Sequence, residues 1–150
     1  MSLLAIVLTT GSIAAQERLF NPRMVKDARH VCQITVPEDW GTSPDDPHDT
    51  SRMVSRERTM EATIGSFRIG QSFEDVKRRR TAEMKPVAIL EDDIKRFSYL
   101  GRPGNMLTAS KRQITVVLNA TRVCSASVTF VAKSDEPRAK AIAASLRPAK

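Results

Sequence analysis

The clearest pattern in this chain is a period-two alternation near its C-terminal end. From Arg122 to Ala132, the residues Cys124, Ala126, Val128, Phe130 and Ala132 share one phase, and Ser125, Ser127 and Thr129 share the other. Successive side chains of a strand point to opposite faces, so this stretch predicts a strand with one apolar and one polar side. The stretch from Ala28 to Val36 reads the same way, with Cys32, Ile34 and Val36 in phase, and Pro37, which has no N–H to give a ladder, as its stop. A strand or two are predicted between Arg52 and Ile69, clearest over 59–69, where Thr63, Phe67 and Ile69 share a face. Others are predicted near Val87–Leu90, Ile94–Leu100, Met106–Arg112 and Ile114–Asn119.

Two segments break that rhythm. Ser72 stands before Phe73-Glu74-Asp75, a hydroxyl cap followed by acidic residues that suit a helix start, and this predicts a helix over 72–84 that ends before Pro86. Near the C-terminus, Ala139, Ile142, Ala143 and Leu146 follow i, i+3, i+4, i+7 spacing, which predicts a helix over about 136–146 with a single apolar stripe. Residues 16–26 read as a polar leader, 41–51 as an exposed loop rich in Pro, Asp and His, and 101–105 as a turn. Two helices and five to seven strands joined by short turns predict an α+β domain, its sheet largely antiparallel and flanked by helices. There is no internal repeat and no low-complexity linker, so residues 16–150 are expected to form a single domain.

The first fifteen residues stand apart from this. An apolar run, Leu3 to Leu8, leads into small residues ending at Ile13-Ala14-Ala15, the layout of a secretory signal. No Lys or Arg precedes the run, which departs from the usual positive start. The run is too short to cross a bilayer, which takes roughly 20 residues. Residues 1–15 are therefore expected to be a signal peptide, cleaved after Ala14 or Ala15, and the mature chain to be periplasmic or secreted. In an oxidising compartment the two cysteines, Cys32 and Cys124, are expected to form one disulfide, since both lie in phase with apolar neighbours. Such a bridge would contribute about 4 to 5 kcal/mol by closing most of the chain into one loop.

The formal net charge of +7 favours anionic partners. Export disfavours nucleic acid, and an aromatic content of 5% leaves few platforms for stacking bases. An acidic protein or an anionic envelope surface fits better, although the charge also serves solubility alone. The run Lys77-Arg78-Arg79-Arg80 falls inside the first predicted helix, where 100° steps spread the four residues around the axis. Arg80 lands between Phe73, Val76 and Met84 on the packing side, where its stem packs and its guanidinium reaches an edge or an acidic group. Trp40 is the sole tryptophan, read as a core anchor or as a ligand-facing ring beside the acidic loop.

Catalytic chemistry has little to work with. There is no C-x-x-C, no G-x-S-x-G and no phosphate-binding glycine loop. Glu91-Asp92-Asp93 reads as a solvated bend and His30 as a surface residue. Asp45, Asp46, His48 and Asp49 could in principle supply carboxylate and imidazole ligands to a divalent cation, but their spacing matches no known ligand geometry. No catalytic residue, resident metal or cofactor is therefore expected.

The order of features resembles the Mog1/PsbP-like superfamily. The residues that carry the resemblance are Val36-Pro37-Glu38-Asp39-Trp40 at the end of the opening strand, the helix from Ser72 to Met84 ahead of a run of antiparallel strands, and the closing Ala141-Ile142-Ala143-Ala144-Ser145-Leu146. It spans about residues 28–147. The resemblance implies an α/β/α sandwich serving as a binding or accessory module, with no partner and no site residue carried over. The expected function is thus an exported, non-catalytic binding or accessory protein. The alternative is an envelope enzyme or metal-dependent protein using the Asp45–Asp49 loop.

Overall fold

A computed structural model describes residues 22–103 and 110–150. The expected signal peptide at 1–15, the first part of the polar leader, the end of the 101–105 turn and most of the strand expected at 106–112 lie outside the described residues.

Strands β1 (Pro22–Lys26) and β2 (Cys32–Pro37) pair as an antiparallel hairpin, and β10 (Arg147–Pro148) pairs with the other side of β2. A larger sheet is built from β3 (Gly41–Thr42), β4 (Arg52–Val54), β5 (Met60–Ser66), β6 (Met84–Asp92), β7 (Arg96–Pro103), β8 (Arg112–Leu118) and β9 (Cys124–Phe130). Its strand order is β3-β4-β5-β9-β8-β7-β6, and every pairing is antiparallel. Helix α1 (Phe73–Glu83) enters between β5 and β6, and α2 (Glu136–Ala144) follows β9 through a short 3-10 turn. The architecture is the α+β arrangement that the alternation and the two helical segments predict.

The period-two pattern decides which side of the large sheet each layer occupies. Met60, Ala62 and Ile64 of β5, Cys124, Ala126, Val128 and Phe130 of β9, and Ile114 and Val116 of β8 face one way. They meet Ala139, Ile142, Ala143 and Leu146 around α2, together with Val25, Ile34 and Val36 of the small sheet. Each large side chain buried here contributes roughly 1.5 to 3 kcal/mol. The opposite phase, Phe97, Tyr99, Val117 and Val123, forms a second, smaller cluster with Phe73 and Val76 of α1. The S–S bond between Cys32 and Cys124 is 2.01 Å long, and it ties the small sheet to β9.

Several boundaries differ from the sequence pattern, each for a local reason. The strand expected over 28–36 begins only at Cys32, because Asp27–Val31 is a turn in which His30 takes a left-handed φ of 54°. Residues 22–26, read as polar leader, are a strand because β2 supplies a pairing edge. Strand β5 ends at Ser66, so Ile69 does not share a face with Thr63 but lies 85% exposed ahead of Gly70, whose φ is 89°. The expected turn at Gly101 starts late, since Gly101 to Pro103 continue β7. Strand β10 carries no pattern of its own and exists through its partner. At the outer edge, β6 exposes Val87 and Ile89, and two register shifts against β7 blunt that edge against further pairing.

Candidate functional site beneath helix α1

Helix α1 begins where Ser72 Oγ accepts the N–H of Asp75 at 3.1 Å, with Glu74 and Asp75 in the first turn. Phe73 and Val76 are its buried residues. The four consecutive basic residues separate as the 100° step requires. Lys77 hydrogen-bonds to Asp92 and lies 4.7 Å from the centre of the Phe97 ring. That bond to Asp92 outweighs partial burial and holds the Lys77 ammonium above its ordinary range. Arg78 pairs with Asp75, and Arg79 is exposed.

Arg80 continues the stripe of Phe73 and Val76 and leans over the sheet. Its guanidinium carbon sits 5.5 Å from the centre of the Phe67 ring, within cation–π range. It pairs with Glu83, Nη1 lying 3.6 Å from Oε2, and its buried Nε has no hydrogen-bond partner. The Tyr99 hydroxyl donates to the Arg80 carbonyl at 3.0 Å, which fixes the last turn of α1 to β7. Burial pushes the Tyr99 phenol above its ordinary pKa.

Beside this apolar cluster the same face of the sheet carries a polar row, and the polar phase of β9 is the reason. Ser125, Ser127 and Thr129 alternate with the core residues and so face the α1 side. Thr115 Oγ1 lies 3.1 Å from Ser127 Oγ and accepts from Gln113 Nε2 at 3.2 Å, while Thr129 donates to Gln113 Oε1 at 3.4 Å. Thr115, Ser125 and Ser127 are buried, and the Ser125 hydroxyl has no partner. Directly across from Ser125 is Gly65, where an added Cβ would meet no atom within 4 Å. At the far end of this polar row, Arg52 and Glu61 pair at 2.9 Å beside a cavity of about 280 Å³ that Gln113 and Thr129 also line. Glu61 raises the Arg52 guanidinium further above its already high pKa.

The other residues singled out from the sequence lie elsewhere. Trp40 is 2% exposed and packs in the larger core, so both faces of its ring are covered. Its carbonyl accepts from Arg23 Nη1 at 3.2 Å. Asp45, Asp46 and His48 are exposed on successive turns, and Asp49 accepts from the Ser51 N–H at 2.9 Å. Among the described residues, no three His, Cys, Asp or Glu side chains converge on a point that could hold a metal ion. Cys32 and Cys124 are bonded to each other, so neither offers a thiolate. Asp92 is engaged by Lys77, and Asp93 accepts the N–H groups of Lys95 and Arg96 at 2.7 and 2.8 Å. Those two bonds hold the Asp93 carboxyl below its ordinary range. The run Glu91-Asp92-Asp93 is thus a strand end and a turn, as its composition suggests.

The sequence reading singled out Arg80 but not the surface it leans on. Gly65, Ser125 and Ser127 belong to the solvent phase of predicted strands, and such positions are usually wet. The available signal was the smallness of the outward residues in Cys124-Ser125-Ala126-Ser127-Val128, opposite a glycine.

No protein-family model matches the chain, and no curated protein matches it in sequence. Among solved structures, the solution structure of cyanobacterial PsbP (CyanoP) from Synechocystis sp. PCC 6803 is similar, with a TM-score of 0.54 over 85% of this chain and 92% of that one. The sequence identity of that pair is 10%, so the likeness carries the fold alone. With a mostly antiparallel sheet between its two helices, the chain has the Mog1/PsbP-like fold.

Proposed function

We propose that this chain is an exported, non-catalytic binding or accessory protein that takes an acidic partner on the α1 side of its large sheet. The observation that carries the binding reading is Arg80, a guanidinium kept on the packing side of α1 and stacked on Phe67, whose one carboxylate neighbour, Glu83 at 3.6 Å, is half exposed. A permanent positive charge in that setting offers N–H donors to an anion from outside. The formal charge of +7 speeds encounter with such a partner.

Export is supported by two independent features, the signal-like residues 1–15 and a fully buried disulfide of the kind found in oxidising compartments. An accessory role agrees with what the Mog1/PsbP-like resemblance implies. Among the described residues no helix is long and apolar enough to cross a membrane.

Native protein recovered from host envelope or medium tests both halves. Mass spectrometry is expected to find the leader removed and the two sulfurs bonded. A pull-down from envelope extract is expected to retain an acidic protein at low salt and to lose it at high salt, since screening weakens exposed charge pairs. An intact leader with free thiols would overturn export, and capture unaffected by salt would overturn the acidic partner.

A further inference from the structure

The cavity beside Arg52 and Glu61 is lined by two further cations, and we infer that it binds a small dicarboxylate, with one carboxylate at Arg58 and the other at Lys111. The inference goes beyond the acidic-partner reading and does not depend on Arg80. Arg58 and Lys111 both border the same open volume of about 280 Å³. That size is near the lower end of small-ligand sites, which run from roughly 300 Å³ upward. Both residues are exposed, so a ligand from solution can reach them. Among the described residues neither has a carboxylate partner.

Strand register sets these two cations apart. Met60 at the start of β5 and Arg112 at the start of β8 both lie opposite Phe130 of β9. Arg58 stands two residues before Met60 and Lys111 one before Arg112, so both come from the same end of the sheet, on strands separated by β9. Neighbouring strands lie about 4.8 Å apart, which puts roughly 10 Å between the two backbones. Two carboxylates joined by a short hydrocarbon chain bridge that interval, with a charge-assisted bond at each end. A compact anion has no second group to place at the far cation.

Arg58 is also an unfavourable residue for its own backbone. It takes a φ of 57° in the loop between β4 and β5, the left-handed region that glycine occupies without steric cost. The loop is well fastened all the same. The Arg58 N–H donates to the Ser55 carbonyl at 2.9 Å, and the Ser55 hydroxyl accepts the N–H groups of Thr59 and Met60, each at 3.1 Å. An unpaired arginine at a strained position, on a fastened loop and beside a cavity, contributes a held charge rather than stability.

The rest of the lining selects the body of the ligand. Val54, Pro103 and Val131 offer hydrocarbon surface, which suits methylene groups and gives inorganic phosphate nothing to contact. Glu61 is the one carboxylate among the described lining residues, and each of its oxygens lies 2.9 Å from an Arg52 nitrogen, so its charge is already answered. Asp45 and Asp49 also act on Arg52 but are not part of the lining.

Isothermal titration calorimetry of the oxidised protein with adipate, at near-physiological salt, tests this. Wild type is expected to bind adipate saturably at one site. Hexanoate, which has the same carbon count and a single carboxylate, and inorganic phosphate are each expected to bind at least about tenfold more weakly. Arg58→Gly is expected to weaken adipate binding at least about tenfold while the thermal midpoint does not fall, because glycine suits a φ of 57°. Lys111→Gln is expected to weaken it by a similar factor. Arg56→Gln, in the same loop but outside the lining, and Arg80→Gln are each expected to change it less than about threefold.

Wild-type protein that binds no adipate would overturn the proposal, and binding insensitive to both Arg58→Gly and Lys111→Gln would remove it from this cavity. Equal affinity for hexanoate would refute the second carboxylate, and equal affinity for phosphate would refute the organic body. Loss of adipate binding in Arg80→Gln would place the anion under α1 instead. The acidic-partner reading stands or falls separately, on the envelope pull-down.

Discussion

Asp27 and Ser66 are separated by 39 positions in the chain, yet the Ser66 hydroxyl donates to Asp27 Oδ2 at 2.6 Å. The other carboxylate oxygen accepts the N–H groups of Val31 and Cys32 at 2.7 and 2.8 Å. One buried carboxylate thus shapes the β1–β2 turn and fastens it to the end of β5. It does so beside the half-cystine Cys32.

Asp27 should make stability fall in acid. Burial pushes its carboxyl up, but the bonds from Ser66, Cys32, Val31 and Arg29 outweigh that and hold it below its ordinary value of 3.8. A carboxyl held low in the folded state stabilises fully above the unfolded pKa and loses its contribution as pH falls through the folded one. Asp27→Asn is expected to cost about 1 to 3 kcal/mol at pH 7 and less near pH 2. Urea unfolding across that range checks this, and a cost that does not shrink in acid would refute it.

Reduction of Cys32–Cys124 should be costly. The bridge spans a sequence separation of 92, and its loss is expected to lower stability by about 4 to 5 kcal/mol in the chain-entropy picture. Both cysteines are fully buried, so a mild reductant should act slowly on the folded protein and rapidly in moderate urea. Denaturant midpoints with and without reductant, and thiol release against urea concentration, measure the two effects.

Arg96 closes the C-terminal end of α2 from another strand. Its Nη1 and Nη2 donate to the carbonyls of Ala144 and Leu146 at 2.9 and 2.8 Å, taking acceptors that the helix itself leaves free. Arg96→Ala is expected to destabilise by about 1 to 2 kcal/mol. Hydrogen exchange should show the increased opening concentrated in α2 and β10. Uniform loosening of the whole domain would count against this role.

Phe130 tests the larger core. It is fully buried at the end of β9, in register with Met60 on one side and Arg112 on the other. Phe130→Ala is expected to cost about 3 to 5 kcal/mol by leaving a cavity, read as a lower denaturant midpoint. Thr129→Ala, one residue earlier on the polar side, should cost less than about 1.5 kcal/mol.

Much of this fold was legible because burial on one side of a strand leaves a period-two trace. The trace is clean over 124–130, where both faces are consistent, and the cap at Ser72 marks the start of α1 to the residue. It misleads around Ala28–Val31, where a turn held by the Asp27 side chain happens to preserve the alternation. It is silent for β1 and β10, which owe their extended form to β2 rather than to their own residues. The candidate site divides along the same line. Arg80 betrayed itself as a charge on an apolar stripe, whereas Ser125 and Gly65 matter only through what lies across from them, which one strand's sequence does not contain.

The small sheet has a further consequence for how the molecule can be handled. β1 and β10 flank β2 on the side of the large sheet away from α1, so the described chain both begins and finishes behind the Arg80 surface. A fusion partner, affinity tag or surface tether joined after Lys150 would project from the rear, with the guanidinium left facing forward.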